Sequence, residues 1–196
     1  MNGLKKQFCI SAGSIAIAAI VVLALTTTLA WTQAAATTID IPGATSTIVW
    51  AINPQGDIVG QYTSAGVVHG FLVRRGVLST IDVPGARRTV TRGINARGEI
   101  VGMYTDAAGM GHGFLLSDGI FTAIDVPSAR STFGALGINS RGDIVGSYTD
   151  SASVDHGFLL SRGMFTTIDF PGTNFTRPTG ITDGGEAVPA SSVASC

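Results

Sequence analysis

Cysteine is almost absent from this chain: Cys9 and Cys196 are the only two. Cys9 lies within an apolar run and Cys196 is the last residue, so no disulfide framework holds the fold. Lysine is equally scarce, with only Lys5 and Lys6. From residue 37 onward ten arginines face thirteen acidic residues, for a net charge of −3. Nucleic acid is bound by clustered positive charge, so this balance argues against it as a partner. The nearest approach to a basic cluster, Arg87, Arg88, Arg92 and Arg97, reads as a solvated loop and strand face. Helix-forming residues in a 3.6-residue period are also lacking after residue 37, which predicts almost no helix there. No GxSxG motif, phosphate-binding loop or cysteine–histidine pair points to a reaction.

Charge is missing altogether from Phe8 to Ala30, a run of 23 residues rich in Ile, Ala, Val and Leu. Lys5 and Lys6 precede it, and Ala34 and Ala36 form an A-x-A pattern ahead of Thr37. Residues 1–36 therefore read as a secretory signal peptide. The alternative is an uncleaved apolar helix anchoring the chain, since such a run is long enough to span a bilayer. A membrane is a partner only in that second case. The residues before Cys9, Lys6-Gln7-Phe8, do not form a lipoprotein-type site. Either reading places the rest of the chain outside the cytoplasm, secreted or at the periplasm or cell envelope.

What the chain has in abundance is itself. AINPQGDIVGQYT at 51–63 returns as GINARGEIVGMYT at 93–105 and GINSRGDIVGSYT at 137–149, each followed by HGFL. The interval from His69 to His112 is 43 residues and from His112 to His156 is 44. A TIDxP-type segment closes each unit at Thr80–Pro84, Ala123–Pro127 and Thr167–Pro171, with an extra copy at Thr38–Pro42. Such self-similarity indicates an array of small units, none able to fold alone. The units span about 44–85, 86–128 and 129–172, with a partial fourth at 173–186. The pattern then fails at Ala187-Val188-Pro189-Ala190, and 187–196 reads as a disordered tail.

One unit holds four strand candidates: Thr89–Ile94, Glu99–Thr105, His112–Leu116 and Ile120–Val126. The turn Asn95-Ala96-Arg97-Gly98 separates the first two, and Asp118-Gly119 the last two. Four short antiparallel strands in about 43 residues match a β-propeller blade, so the fold class is all-β, a propeller-like array. A β-solenoid has shorter coils without two hairpins, and a β-sandwich would not repeat so closely. Thr38–Ile41 reads as an orphan last strand that could complete the partial fourth blade. Without that closure, exposed blade edges would favour assembly between copies. Pro42-Gly43, Pro84-Gly85 and Pro171-Gly172 fit type II turns, whereas Pro127 is followed by Ser128, which suggests a type I or strained turn.

The pattern GIN-x-x-G-D/E-I-V-G-x-Y-T followed by HGFL resembles the HAF-type extracellular repeats of bacteria. The matching residues are Gly93-Ile94-Asn95, Gly98, Ile100-Val101-Gly102 and His112-Gly113-Phe114-Leu115, with equivalents in the flanking units. Gly70, Gly113 and Gly157 stand where the family pattern has alanine. The resemblance covers roughly 37–186. It implies an exported, propeller-like protein, and it brings no catalytic residues with it.

His69, His112 and His156 occupy one place in every unit and are the candidate metal ligands. A residue repeated in each unit more often serves the unit's own hydrogen bonding, so no metal or cofactor is expected. Asp57, Glu99 and Asp143 recur beside the second strand, and Asp40, Asp82, Asp125 and Asp169 in the fourth. None sits in a D-x-D-x-D-G calcium loop. These readings converge on a non-enzymatic exported repeat protein that binds an unknown protein or glycan, or serves as a scaffold. The alternative is a carbohydrate-active enzyme, or a degenerate relative of one, using paired carboxylates on a propeller face.

Overall fold

In the computed structural model, the described residues are 38–171 and 175–190. The expected leader with Cys9 and Thr37, Gly172 of the last Pro-Gly turn, and the end 191–196 with Cys196 lie outside them. Among the described residues every strand lies between Ser46 and Ala190.

Local turn chemistry sets the strand ends. Gly98 N donates to Asn95 O at 3.0 Å and Asn95 N to Glu99 O at 3.1 Å, a tight connection that leaves Gly98 at φ 81°. Gly56 and Gly142, equivalent in sequence, take φ 82° and 90°, the left-handed conformation expected of a glycine closing this turn. Asp118 and Gly119 both have positive φ, the mark of the two-residue hairpin turn that suits twisted strands. At Ser128 the turn takes the strained alternative rather than type I. The φ of Ser128 is 65°, close to the 79° of Gly85, and Ala129 N still donates to Val126 O. The turn keeps its type II shape, and a serine bears the left-handed conformation.

The strands are β1 (Ser46–Ile52), β2 (Ile58–Ser64), β3 (Val67–Arg74), β4 (Val77–Ile81), β5 (Arg88–Ile94), β6 (Ile100–Thr105), β7 (Gly111–Ser117), β8 (Ile120–Ile124), β9 (Ser131–Ile138), β10 (Ile144–Thr149), β11 (Asp155–Ser161), β12 (Met164–Ile168), β13 (Arg177–Ile181) and β14 (Ala187–Ala190). There is no helix among the described residues. β1–β4, β5–β8 and β9–β12 each form a four-stranded antiparallel sheet in sequence order, and β13 pairs with β14.

Two sequence expectations are corrected. Thr38–Ile41 forms no strand, because among the described residues no third strand follows β13–β14 to offer it an edge. Ile41 is nonetheless buried, and Ala44 N closes the same turn onto its carbonyl. Ala187–Ala190 is not a disordered tail but strand β14, in register with β13 from Arg177 to Ile181. The turn explains it: Thr182 N donates to Glu186 O and Gly185 N to Thr182 O, so the hairpin continues although the IVGxY side chains are gone.

Burial follows the repeated words. Phe71, Phe114 and Phe158 of HGFL and Val59, Val101 and Val145 of IVG are fully buried. The glycine after each valine makes this possible: a Cβ at Gly102 would lie 2.7 Å from the Phe114 ring and collide with the Val90 carbonyl. The first strand of each unit lies on the preceding sheet: β5 on β2 and β3, β9 on β6 and β7, and β13 on β10 and β11. Buried clusters therefore cross unit boundaries, as where Val59 joins Ile94, Ile100 and Phe114. The Thr91 hydroxyl crosses too, donating to the carbonyls of Gly60 and Phe71. No strand pairing joins the β1–β4 sheet to β13–β14 among the described residues.

Candidate functional site

Each histidine stands on the third strand of its unit, opposite the tyrosine of the second strand: His69 faces Tyr62, His112 faces Tyr104 and His156 faces Tyr148. This register stacks the rings, with centroids 4.9 Å apart for Tyr104 and His112. Nδ1 of each histidine lies 2.8 Å from a carboxylate oxygen of Asp82, Asp125 or Asp169, the TIDxP aspartate of the same unit. In the second and third units Nε2 also faces Asp106 at 3.5 Å and Asp150 at 3.3 Å. Ser64 stands at that place in the first unit. Asp106 and Asp150 are themselves held by backbone amides of Met110 and Val154, each at 2.8 Å.

Electrostatics follows from these contacts. Burial pulls His112 down, but the hydrogen bonds and charges of Asp125 and Asp106 outweigh it and raise its pKa. For His156 the Asp169 hydrogen bond leads, against burial, with Asp150 adding to the rise. Asp106 and Asp150 are held low, first by the amides of Met110 and Val154, which outweigh the opposing burial effect, with the histidines adding to the fall. Each histidine is thus engaged within its own unit. No group of three histidine, cysteine or acidic side chains is placed to hold a metal ion among the described residues.

A second recurring constellation joins one unit to the next. Asn53 Nδ2 donates to Asn95 O at 3.3 Å, Asn95 Nδ2 to Asn139 O at 3.1 Å, and Asn139 Nδ2 to Thr182 O at 3.2 Å. Each Asn Oδ1 accepts amides of its own turn, so a single side chain closes a hairpin and ties it to its neighbour. The acid of the turn pairs with an arginine: Asp57 with Arg74, Glu99 with Arg97 and Asp143 with Arg141. Ser161 and Asn139 also donate to Asp143, which lowers its pKa to about 2, with Arg141 adding to the effect. Arg97 Nη1 donates to Ser140 O of the following unit at 2.6 Å. Sequence reasoning misses this ladder, although its signal, one asparagine at the same place in three units, is as plain as the histidines.

Two clefts are notable. A cleft of about 680 Å³ opens between the second and third units, lined by Arg97, Glu99, Arg141, Asp143 and Arg162 over Leu115 and Leu160. Its two carboxylates are the arginine-bound acids of the ladder. A smaller one of about 180 Å³ is lined by Ile52, Ile94, Ile138 and Ile181, one from each unit.

No family model matches the chain, and no curated protein does.

Proposed function

We propose that this is an exported, non-enzymatic β-repeat protein, of the kind the HAF-type repeats describe, acting as a binding or scaffold surface at the cell envelope or outside the cell. The observation that carries the reading is the employment of its recurring polar groups. The histidines, the turn acids and the asparagines are bonded to partners within the array, where they close hairpins and join units. A carboxylate held at about 2 and bound to an arginine, as Asp143 is, stays ionised and does not serve as the acid of glycoside cleavage. The carbohydrate-active alternative rests on the cleft shared by Glu99 and Asp143.

A propeller-like arrangement is supported by the smaller cleft. Packed sheets lie about 10 Å apart, so a straight stack would put the first and fourth units about 30 Å from each other. Ile52 and Ile181 nevertheless line one cleft of about 180 Å³, as first strands gathered about an axis would. Glycine in place of the family's alanine has a local reason: a Cβ at Gly113 would lie 3.1 Å from Ala135 N of the next unit.

The reading is tested by expressing the full chain in a bacterial host and fractionating cytoplasm, envelope and medium. We expect the protein in the envelope or medium, beginning at or near Thr37 if the leader is cleaved, and no release of reducing ends from a panel of polysaccharides. Cytoplasmic retention would refute export. Hydrolysis lost in Glu99→Gln or Asp143→Asn would establish the enzymatic alternative.

A further inference from the structure

The cleft between the second and third units is a place where the repeat departs from itself. An equivalent cleft lies between the first and second units, about 240 Å³ against about 680 Å³. Arg97 and Glu99 line both, over Leu72 and Leu116 in the smaller and Leu115 and Leu160 in the larger. Two changes within the repeat separate them. The third strand of the first unit brings Arg74 into the smaller cleft, where it reaches over Gly98 and its Nε donates to Asp57. Ser117, a much shorter side chain, holds that place in the second unit. The other change is in the hairpin between third and fourth strands. Asp118 closes it beside the smaller cleft and Arg162 beside the larger, at φ 50° and 51°. The backbone of the turn is the same, and the charge it carries is reversed.

The larger cleft therefore has three arginines against two acids, where the smaller has two of each. Both acids of the larger are engaged. Glu99 Oε2 accepts from Asn95 and Arg97, and Asp143 accepts from Asn139, Arg141 and Ser161. Arg162 is exposed and has no carboxylate within ion-pair distance among the described residues. An unpaired guanidinium above neutralised acids favours an anion. The floor is aliphatic. Leu115, Ile138 and Leu160 are half-buried and pack on the buried cluster of Val101, Ile144 and Phe158, which leaves their other faces to the cleft. No aromatic ring among the described residues lines it to stack on a sugar. Nor is it enclosed as a long acyl chain requires, since Arg97, Arg141 and Arg162 are all exposed. Its volume is that of ordinary ligand sites, roughly 300–1,000 Å³.

We propose that this cleft binds an acidic peptide segment of a partner protein, with a carboxylate side chain on Arg162 and a neighbouring aliphatic side chain on Leu115 and Leu160. The planar donors of arginine match a carboxylate, and the two-residue turn fixes the backbone from which Arg162 extends. The aliphatic side chain covers the half-buried leucines and is itself removed from water. This deepens the binding-surface reading and rests on it.

The test uses the full chain and three capped pentapeptides: one alternating leucine and glutamate, one with glutamine for glutamate, and one with glycine for leucine. Trigalacturonate supplies a sugar-borne carboxylate for comparison. Isothermal titration should show saturable binding of the leucine–glutamate peptide, with each of the other two weaker by roughly tenfold or more, and none of trigalacturonate. Arg162→Asp installs the residue of the second unit's turn, so it should abolish binding and leave the melting temperature unchanged. Arg162→Lys should keep more affinity than Arg162→Gln, a comparison that adds no negative charge. Bound peptide should raise the melting temperature of the unmodified protein. Absence of binding by the leucine–glutamate peptide, equal binding of its glutamine counterpart, or equal binding by Arg162→Asp would overturn the proposal. Binding of trigalacturonate alone would also overturn it while leaving the broader binding-surface reading standing.

Discussion

Replacing Asn95 by aspartate changes one amide to a carboxylate at the centre of the inter-unit ladder and tests that ladder directly. Asn95 is 4% exposed. Its Oδ1 accepts from Arg97 N at 3.0 Å and Glu99 N at 3.1 Å, contacts that aspartate keeps. Its Nδ2 donates to Asn139 O at 3.1 Å and Glu99 Oε2 at 2.6 Å, contacts that aspartate inverts. One buried carbonyl then loses its donor, at a cost of about 1–3 kcal/mol. Two carboxylates face each other, which adds about 2–4 kcal/mol at a separation near 4 Å and intermediate dielectric, reduced because Arg97 already sits on Glu99. We expect a loss of about 3–5 kcal/mol at pH 7, a large fraction of the stability of a small domain. Asn95→Ala should lose about 2–4 kcal/mol: it unpairs the Asn139 carbonyl and also the amides of Arg97 and Glu99 that aspartate keeps, but it adds no charge. The sign of the pH dependence separates the two. The new aspartate has a folded pKa raised above its unfolded value near 3.9, so its penalty is full above the folded pKa and fades as pH falls through it. Urea unfolding at pH 7 and pH 4.5 reads both variants. The reasoning fails if Asn95→Asp is no worse than Asn95→Ala at pH 7, or if the gap between them does not narrow on acidification.

Gly102→Ala should destabilise by about 3 kcal/mol or more, because the new methyl meets both the Phe114 ring and the Val90 carbonyl; an unchanged urea midpoint would show that the core yields more than its packing suggests. Ser128→Gly should stabilise by about 0.5–1 kcal/mol by relieving a left-handed serine, and a drop in melting temperature would refute that account. Because His112 and His156 have raised folded pKa values, their contribution is complete below an unfolded value near 6.5 and is lost as pH rises through the folded ones. The melting temperature should therefore fall from pH 6 to pH 8, and the His112→Gln/His156→Gln double variant should lose that slope. EDTA should leave the melting temperature unchanged; a drop reversed by zinc would instead point to a shared metal site.

The strand plan of this chain is legible because its local signals agree with one another. Asn95 with Gly98 and Asp118 with Gly119 are turn chemistries with few alternatives, and the observed β5 to β8 begin and end within two residues of the segments expected from them. The ends of the array are less legible for one physical reason. A strand exists only where an edge is present to pair with it. Thr38–Ile41 carries a strand's sequence without such an edge, and Ala187–Ala190 carries a poor strand sequence on a hairpin whose turn is intact. Side-chain pattern points the wrong way in both places, and backbone hydrogen bonding decides.

The candidate sites divide along the same line. The histidines stand out because histidine draws chemical attention, yet their neighbours Asp82, Asp125 and Asp169 lie thirteen residues further on and meet them only through strand register. The asparagine ladder becomes visible on asking why a turn should need asparagine in all three full units when only its glycine requires a special backbone. Faithful repetition marks what the array needs to hold itself together, so the place to look for what it binds is where the repeat changes while its backbone does not.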